Sequence, residues 1–284
     1  MKIVVIGASN IDITGKSNGK FIFETSNIGK INFQIGGVGK NIADFLARLE
    51  EVKLITVIPD SFFGEMIKKD LFYKNIDFTE SVMGDFEDSI YLSMENNHGG
   101  MISAINQMDN IRHLTSRYLE EKKSYINDSD AVVIDTNLPR ETIESIPNII
   151  DDKPFIVEGV SVEKIKKIKN IYGKINLLKV NEDEARVILG DEDKILGKKE
   201  MVEKILSLGV EEVHVTLGKD GVVAGNGKEI IDYRVKPIDE VKSVNKAGDA
   251  YLAGIISKYL VDGTLEERIQ FGTELSRKQI MGGL

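Results

Sequence analysis

Leu177-Leu178-Lys179-Val180-Asn181-Glu182-Asp183-Glu184 is the stretch on which the fold class turns. The aliphatic run over 177–180 reads as a strand. It ends on an asparagine followed by three acidic residues, the pattern of a helix start. Asparagine accepts from an otherwise unpaired amide there, and first-turn carboxylates oppose the helix dipole. Residues 182–189 follow as a helix. A buried strand feeding a capped helix is the building unit of layered α/β domains.

The same alternation extends in both directions. Strand candidates lie at Ile3–Ile6, Leu54–Ile58, Ala131–Asp135, Phe155–Val157, Val213–Thr216 and Gly221–Ala224. Several are apolar without interruption, as expected of strands covered on both faces of a mostly parallel sheet. Amphipathic stretches at Lys40–Leu49, Gly64–Asn75, Ser116–Asn127, Val162–Ile171 and Glu200–Ser207 supply helices between them. The expected architecture is α/β in three layers: a mostly parallel central sheet flanked by helices, in one domain over 1–284.

Two segments break the rhythm. Within 12–35, Lys20-Phe21-Ile22-Phe23-Glu24 and Lys30-Ile31-Asn32-Phe33-Gln34-Ile35 flank the turn region Ser26-Asn27-Ile28-Gly29. Within 89–106, two more alternating runs flank Asn96-Asn97-His98-Gly99-Gly100. Both predict hairpins, expected to form a small β lid outside the main sheet.

Composition narrows the function. The 284 residues carry 46 acidic and 37 basic side chains for a net charge of −9, which argues against a nucleic-acid partner. No apolar run approaches the ~18 residues of a membrane-spanning helix. Residues 3–7 read as a first buried strand and not as a signal peptide, so a cytoplasmic location is expected. The absence of cysteine excludes disulfides and thiolate chemistry, and the three histidines, His98, His113 and His214, lack metal-ligand spacing.

Four clusters carry chemistry, each with a simpler reading beside the functional one. Gly36-Gly37-Val38-Gly39-Lys40-Asn41 precedes a helix, where glycines bring the backbone close to a ligand or merely form a turn. It lacks the Gly-Lys-Ser/Thr of a Walker loop. Thr216-Leu217-Gly218-Lys219-Asp220-Gly221 is either a hairpin turn or a nucleotide-facing turn with exposed amides. Ser243-Val244-Asn245-Lys246-Ala247-Gly248-Asp249-Ala250 opens a helix over Tyr251–Leu260. Its amides and dipole suit an anion, while Asp249 is also simply favourable in a first turn. Asn181-Glu182-Asp183-Glu184 is a helix cap or a polar site at a strand end.

Asn10-Ile11-Asp12 and these four clusters occur in one order along the chain. Together they resemble the ribokinase-like (PfkB) carbohydrate and nucleoside kinases, and the resemblance runs from residue 3 to about 260. The nearest likeness within that family is to its pseudouridine kinases. It is carried by Val5-Ile6-Gly7-Ala8-Ser9-Asn10-Ile11-Asp12, by Gly29–Phe33 leading into Gly36–Ala43, and by Ala104-Ile105-Asn106-Gln107-Met108. The resemblance implies a ribokinase-like fold and an ATP-dependent kinase, best read as making pseudouridine 5′-phosphate. Another sugar or nucleoside kinase such as a ribose or fructose kinase, or a catalytically impaired ligand-binding homologue, stays open.

Position by position, the resemblance assigns Asn10, Asp12, Gly37 and Asn41 to the acceptor sugar, with Asn106 and Asn137 as further pocket candidates. It assigns Asn181, Thr216, Gly218 and Gly221 to the nucleotide, and Glu184 to Mg²⁺ and its waters. Ala247 and Gly248 match the anion hole, and Asp249 matches the general base. ATP and Mg²⁺ are the implied cofactors, with K⁺ left open, and relatives often form homodimers through their lids.

Two features depart from the family pattern. Lys246 stands where the family usually has the first glycine of Gly-Ala-Gly-Asp, and a side chain at a crowded amide nest is expected to impair turnover. The short tail after Asp249 has no obvious closing helix. An incomplete adenine pocket or monovalent-cation site is expected from it.

Overall fold

Parallel pairing carries the central sheet outward on both sides of Lys2–Ile6. In a computed structural model, describing residues 1–98, 100–191 and 193–283, nine strands form this sheet. From one edge to the other they are Ile230–Tyr233, Val222–Asn226, Glu212–Thr216, Leu177–Asn181, Phe155–Glu158, Ala131–Asp135, Lys2–Ile6, Glu51–Ile55 and Ile76–Asp77. Only the two strands at the first edge run antiparallel to their neighbours. Side chains alternate between two cores. Val4, Ile6, Val132 and Ile134 pack with Ile146 and Ile205, whereas Ile3, Val5, Ala131 and Val133 pack with Leu46 and Ile256. This is the expected three-layer α/β fold.

The order of strands reverses at Lys2–Ile6: the chain moves first to Glu51–Ile55 on one side and later to Ala131–Asp135 on the other. Open α/β sheets bind ligands beyond the carboxyl ends of their strands at such a switch point. Gly7, Asp135, Gly159, Asn181 and Thr216 all stand on that edge.

Several expected boundaries differ. Leu54–Ile58 divides at Thr56 into Glu51–Ile55 and Val57–Pro59, and the second piece leaves the main sheet to pair with Val82–Gly84. Ser116–Asn127 is two helices that meet at Lys122, and Val162–Ile171 is helical only to Ile165 before a 3₁₀ turn. The helix Arg140–Ile149 and the strand Ile230–Tyr233 lie outside the sequence expectations. The expected lack of a closing helix is overturned. Leu265–Ile280 is a helix of 16 residues, started by a reciprocal capping box between Thr264 and Glu267.

A separate four-stranded sheet, in the order Gly29–Gly36, Asn10–Ser17, Ile90–Glu95 and Met101–Gln107, forms the lid. Its second hairpin is as expected. Its first is not, because Asn10–Ser17 and not Lys20–Glu24 pairs with Gly29–Gly36. The Asn27 side chain accepts from the Ile22 amide and donates to the Ile22 carbonyl, removing both groups from any ladder. Residues opposite one another in a sheet share a face. Gln34, Asp12, Tyr91 and Asn106 make one row, and Phe33, Ile13, Leu92 and Ile105 make the next, on the opposite face.

Candidate active site

Asp135 closes an apolar strand and organises the carboxyl edge of the sheet. Its Oδ2 accepts from the amides of Ala8 at 2.9 Å and Gly39 at 2.7 Å, and its Oδ1 accepts from the Asn137 amide at 2.8 Å. A Cβ on Gly7 would meet that Oδ2 at 2.6 Å, so the first strand must end on glycine. One fully buried carboxylate thereby fixes the first strand, the Gly-Gly turn and the Asn137 loop. Sequence reasoning missed it. The only signal was an acid ending an otherwise apolar run.

One side of the candidate site is built on the Gly-Gly turn. Gly37, with φ 98°, caps the helix Val38–Leu46 through its backbone, and a Cβ there would collide with the Ala8 carbonyl. This turn points Asn41 at the helix Ala247–Tyr259, where its Nδ2 donates to Asp249 Oδ2 at 2.9 Å. Asn41 Oδ1 is buried without a partner and is free to accept from a hydroxyl. Asn10 Nδ2 donates to Asp12 Oδ1 at 2.6 Å, and a Cβ on Gly36 would collide with Asp12. Burial raises the Asp12 carboxyl above its ordinary value, opposed by Asn10, Lys246 and Lys40. Gly37, Asn41, Asn10, Asp12 and Asp249 are therefore brought together. Asn106 shares the Asp12 face two strands away and is exposed. Asn137 is buried beneath the site, with Oδ1 accepting from Lys164 Nζ at 2.5 Å.

The helix Ala247–Tyr259 begins without a side-chain cap; the Ala247 amide donates to the Val244 carbonyl at 3.3 Å and the Ala250 amide to the Lys246 carbonyl at 2.9 Å, which leaves the amides of Gly248 and Asp249 available to an anion. Lys246 precedes it in the left-handed region, φ 64°, the conformation glycine adopts at no cost. Its side chain leans toward the lid, with Nζ 3.5 Å from the Ile35 carbonyl. Asp249 is 9% exposed, and burial pushes its carboxyl up to about 6 against the opposing pull of Lys179. A carboxyl poised there is ionised at neutral pH and basic enough to accept a proton.

The Thr216–Gly221 turn is a hairpin turn and also part of the wall of a cleft of about 480 Å³. Gly218 and Gly221 have φ 60° and 101°, and a Cβ at Gly221 would collide with the Tyr233 carbonyl. Gly248, Tyr251 and Thr273 line the opposite wall. The closing helix contributes Thr273, Ser276 and Ile280 to the lining of the cleft. A larger depression of about 700 Å³ lies at the other end of the strands, around Glu212 and Arg268, away from the glycine turns.

Asn181 and Glu184 form the complete capping box. Asn181 Oδ1 accepts from the Glu184 amide at 2.9 Å, and Glu184 Oε2 accepts from the Asn181 amide at 2.9 Å. Asn181 Nδ2 donates to Glu184 Oε1 at 2.6 Å. Glu184 is 1% exposed, and burial raises its carboxyl above the ordinary range. Both oxygens already accept hydrogen bonds, which suits an ion held through water better than direct ligation. Among the described residues no group of three or more His, Asp or Glu side chains is arranged to hold a metal.

Known proteins resemble this chain in sequence and fold. The model of the pfkB family of carbohydrate kinases matches residues 1–280. The chain is 30% identical over 275 residues to a pseudouridine kinase of Escherichia coli, covering 95% of this chain and 87% of that protein. Among solved structures, a carbohydrate kinase from Agrobacterium tumefaciens superposes with a TM-score of 0.85 at 26% identity, covering 100% of this chain and 97% of that one. An Arabidopsis thaliana ribokinase complexed with ribose and ATP shares the fold, with a TM-score of 0.81 at 17% identity, covering 98% and 92%. With the family model spanning nearly the whole chain, this protein is a kinase belonging to the pfkB carbohydrate kinase family.

Proposed function

We propose that this kinase phosphorylates a nucleoside hydroxyl at the expense of ATP, with pseudouridine as acceptor and pseudouridine 5′-phosphate as product. The observation that carries it is the Asn41–Asp249 pair at an uncapped helix start, beside a cleft of nucleotide size. The 30% identity to a pseudouridine kinase supports the choice of acceptor.

The chain's own groups supply what phosphoryl transfer needs, which is positioning and charge neutralisation. Asn10, Asp12 and Asn41 hold the sugar hydroxyls under the lid. Asp249 takes the proton of the attacking hydroxyl as its oxygen bonds to the γ-phosphorus and the bond to the β-bridging oxygen breaks, releasing ADP. The amides of Gly248 and, once it gives up its 3.3 Å bond to the Val244 carbonyl, Ala247 receive the charge that develops on the transferred group. Thr216, Gly218 and Gly221 seat the nucleotide. Asn181 and Glu184 would hold Mg²⁺ through its waters, and that ion would neutralise phosphate oxygens. A K⁺ requirement is left to titration. We place the enzyme in the cytoplasm as a homodimer, the exposed apolar row Phe33–Leu92–Ile105 of each lid covering its partner's.

ADP release with Mg-ATP and pseudouridine, uridine, ribose, fructose or adenosine tests the acceptor. Fastest turnover with pseudouridine supports the reading. Preference for another member of the panel overturns the acceptor and keeps the kinase.

A further inference from the structure

Directly beneath the anion hole lies a buried ion pair that none of the assigned roles uses. Glu158 and Lys179 are register partners on the adjacent parallel strands Phe155–Glu158 and Leu177–Asn181, 3% and 6% exposed. Lys179 Nζ donates to Glu158 Oε1 at 2.9 Å, and Glu158 Oε2 is buried without a partner. The ammonium continues upward until it touches the helix start. A Cβ built on Gly248 would meet Lys179 Nζ at 2.7 Å, so Gly248 is glycine partly because this lysine occupies the space.

We propose that Lys179 is a positioning residue for phosphoryl transfer: clamped by Glu158 under Gly248, it presents the positive charge that keeps Asp249 ready to accept the acceptor's proton. This rests on the reading of Asp249 as the base. Burial of an ion pair costs several kcal/mol before its mutual attraction is counted, so such a pair at a strand end is weak as a stabilising device. Its location, beside the helix start that carries Asp249, gives it a use.

Three charges and one amide act on Asp249. Lys179 opposes the burial of Asp249 more strongly than any other group, the Asn41 amide follows, Asp135 works in the opposite direction, and Lys246 assists. Burial pushes the Glu158 carboxyl up to about 8 even with Lys179 beside it, Asp249 and Glu184 adding to the push. Glu158, Glu184 and Asp249 together hold Lys179 protonated against the effect of burial.

The test is the pH dependence of kcat/KM for the best acceptor of the panel, which reports the ionisation of the free enzyme's base. Three variants are compared: Lys179→Met with Glu158→Gln, which leaves no buried charge unpaired, Glu158→Gln alone, and Asp249→Asn. We expect the acid limb of the double variant to move up by about one to three pH units, as when a carboxylate loses a close cation. Activity should return at high pH. The limb of Glu158→Gln should stay or move down, because the lysine remains. A structural role for the pair predicts the opposite pattern, with equal losses in both variants and unmoved limbs, and that result overturns the proposal. So does a folded double variant still inactive at pH 9.5, where a base of raised pKa would be ionised again. If Asp249→Asn keeps its turnover, the base reading itself fails and the proposal with it. If that variant is dead while the limbs stay put, only the role of Lys179 is lost.

Discussion

Asn41 Nδ2 donates to Asp249 Oδ2 across 2.9 Å, joining the helix that follows the Gly-Gly turn to the helix Ala247–Tyr259. The bond spans residues that are far apart in sequence; it orients the proposed base and, after Lys179, favours its ionised form. Removing it has two expected effects. Asn41→Ala should lower kcat by about tenfold, the value of one charge-assisted hydrogen bond of roughly 1.5 kcal/mol. It should also shift the acid limb upward, since the amide favours the ionised form. An unchanged rate with a merely higher acceptor KM would make Asn41 a sugar ligand alone.

The Asp249 carboxyl contributes a pH-dependent cost to folding. Its pKa in the folded protein is about 6, above the ordinary 3.8, so the native state binds the proton more tightly. Stability from this group is full below the ordinary value and is lost as pH rises through about 6. Asp249→Asn should therefore be the more stable protein at pH 8, by about 3 kcal/mol at most, and lose that advantage near pH 4. Melting temperatures of both proteins at the two pH values check it. An Asn variant less stable at pH 8 would contradict the raised value.

Lys246 holds a left-handed backbone that costs a non-glycine residue roughly 1 kcal/mol, and its side chain crosses toward the lid beside Asp12 and Asp249. Lys246→Gly restores the family's amide nest and should raise kcat. A fall in kcat would show instead that the lysine charge assists the transferred phosphoryl group.

Glu184 serves a helix cap and, in our reading, Mg²⁺ as well. The two uses separate by substitution. Glu184→Gln retains a side-chain acceptor for the Asn181 amide and should melt close to the parent, while needing several-fold more Mg²⁺ for half-maximal rate. Glu184→Ala should lose about 1 kcal/mol of stability in addition. Equal Mg²⁺ requirements in all three proteins would leave Glu184 as a cap only.

The outer face of the lid exposes Phe33 by 55% and Ile105 by 66%. Solution scattering should give a dimer mass for the parent and a monomer for Phe33→Asp with Ile105→Asp. A monomeric parent would remove the lid partner from the account.

The sequence made the sheet legible because its strands are nearly uninterrupted aliphatic runs, and the site legible where glycines and caps mark strand ends. The first arm of the lid was not, since the apolar run Phe21-Ile22-Phe23 outweighs the two isoleucines of Asn10–Ser17 in the sequence, and the Asn27 bonds to Ile22 that keep it out of the sheet do not show there. Asp135, Glu158 and Lys179 were hidden for a different reason. Each is a single polar residue in or closing a strand, and its meaning comes from strands far away in the chain. The closing helix was obscured because Leu265–Ile280 carries many charges, and its apolar stripe is narrow.

The central claim is that Asp249 is the base of an ATP-dependent kinase. ADP release with Mg-ATP and pseudouridine, measured on the parent and on Asp249→Asn alongside ATP affinity by calorimetry, tests it most directly. The account predicts turnover in the parent, a loss of at least about 10³-fold in the variant, and similar ATP affinity in both. Turnover that survives in Asp249→Asn would contradict it.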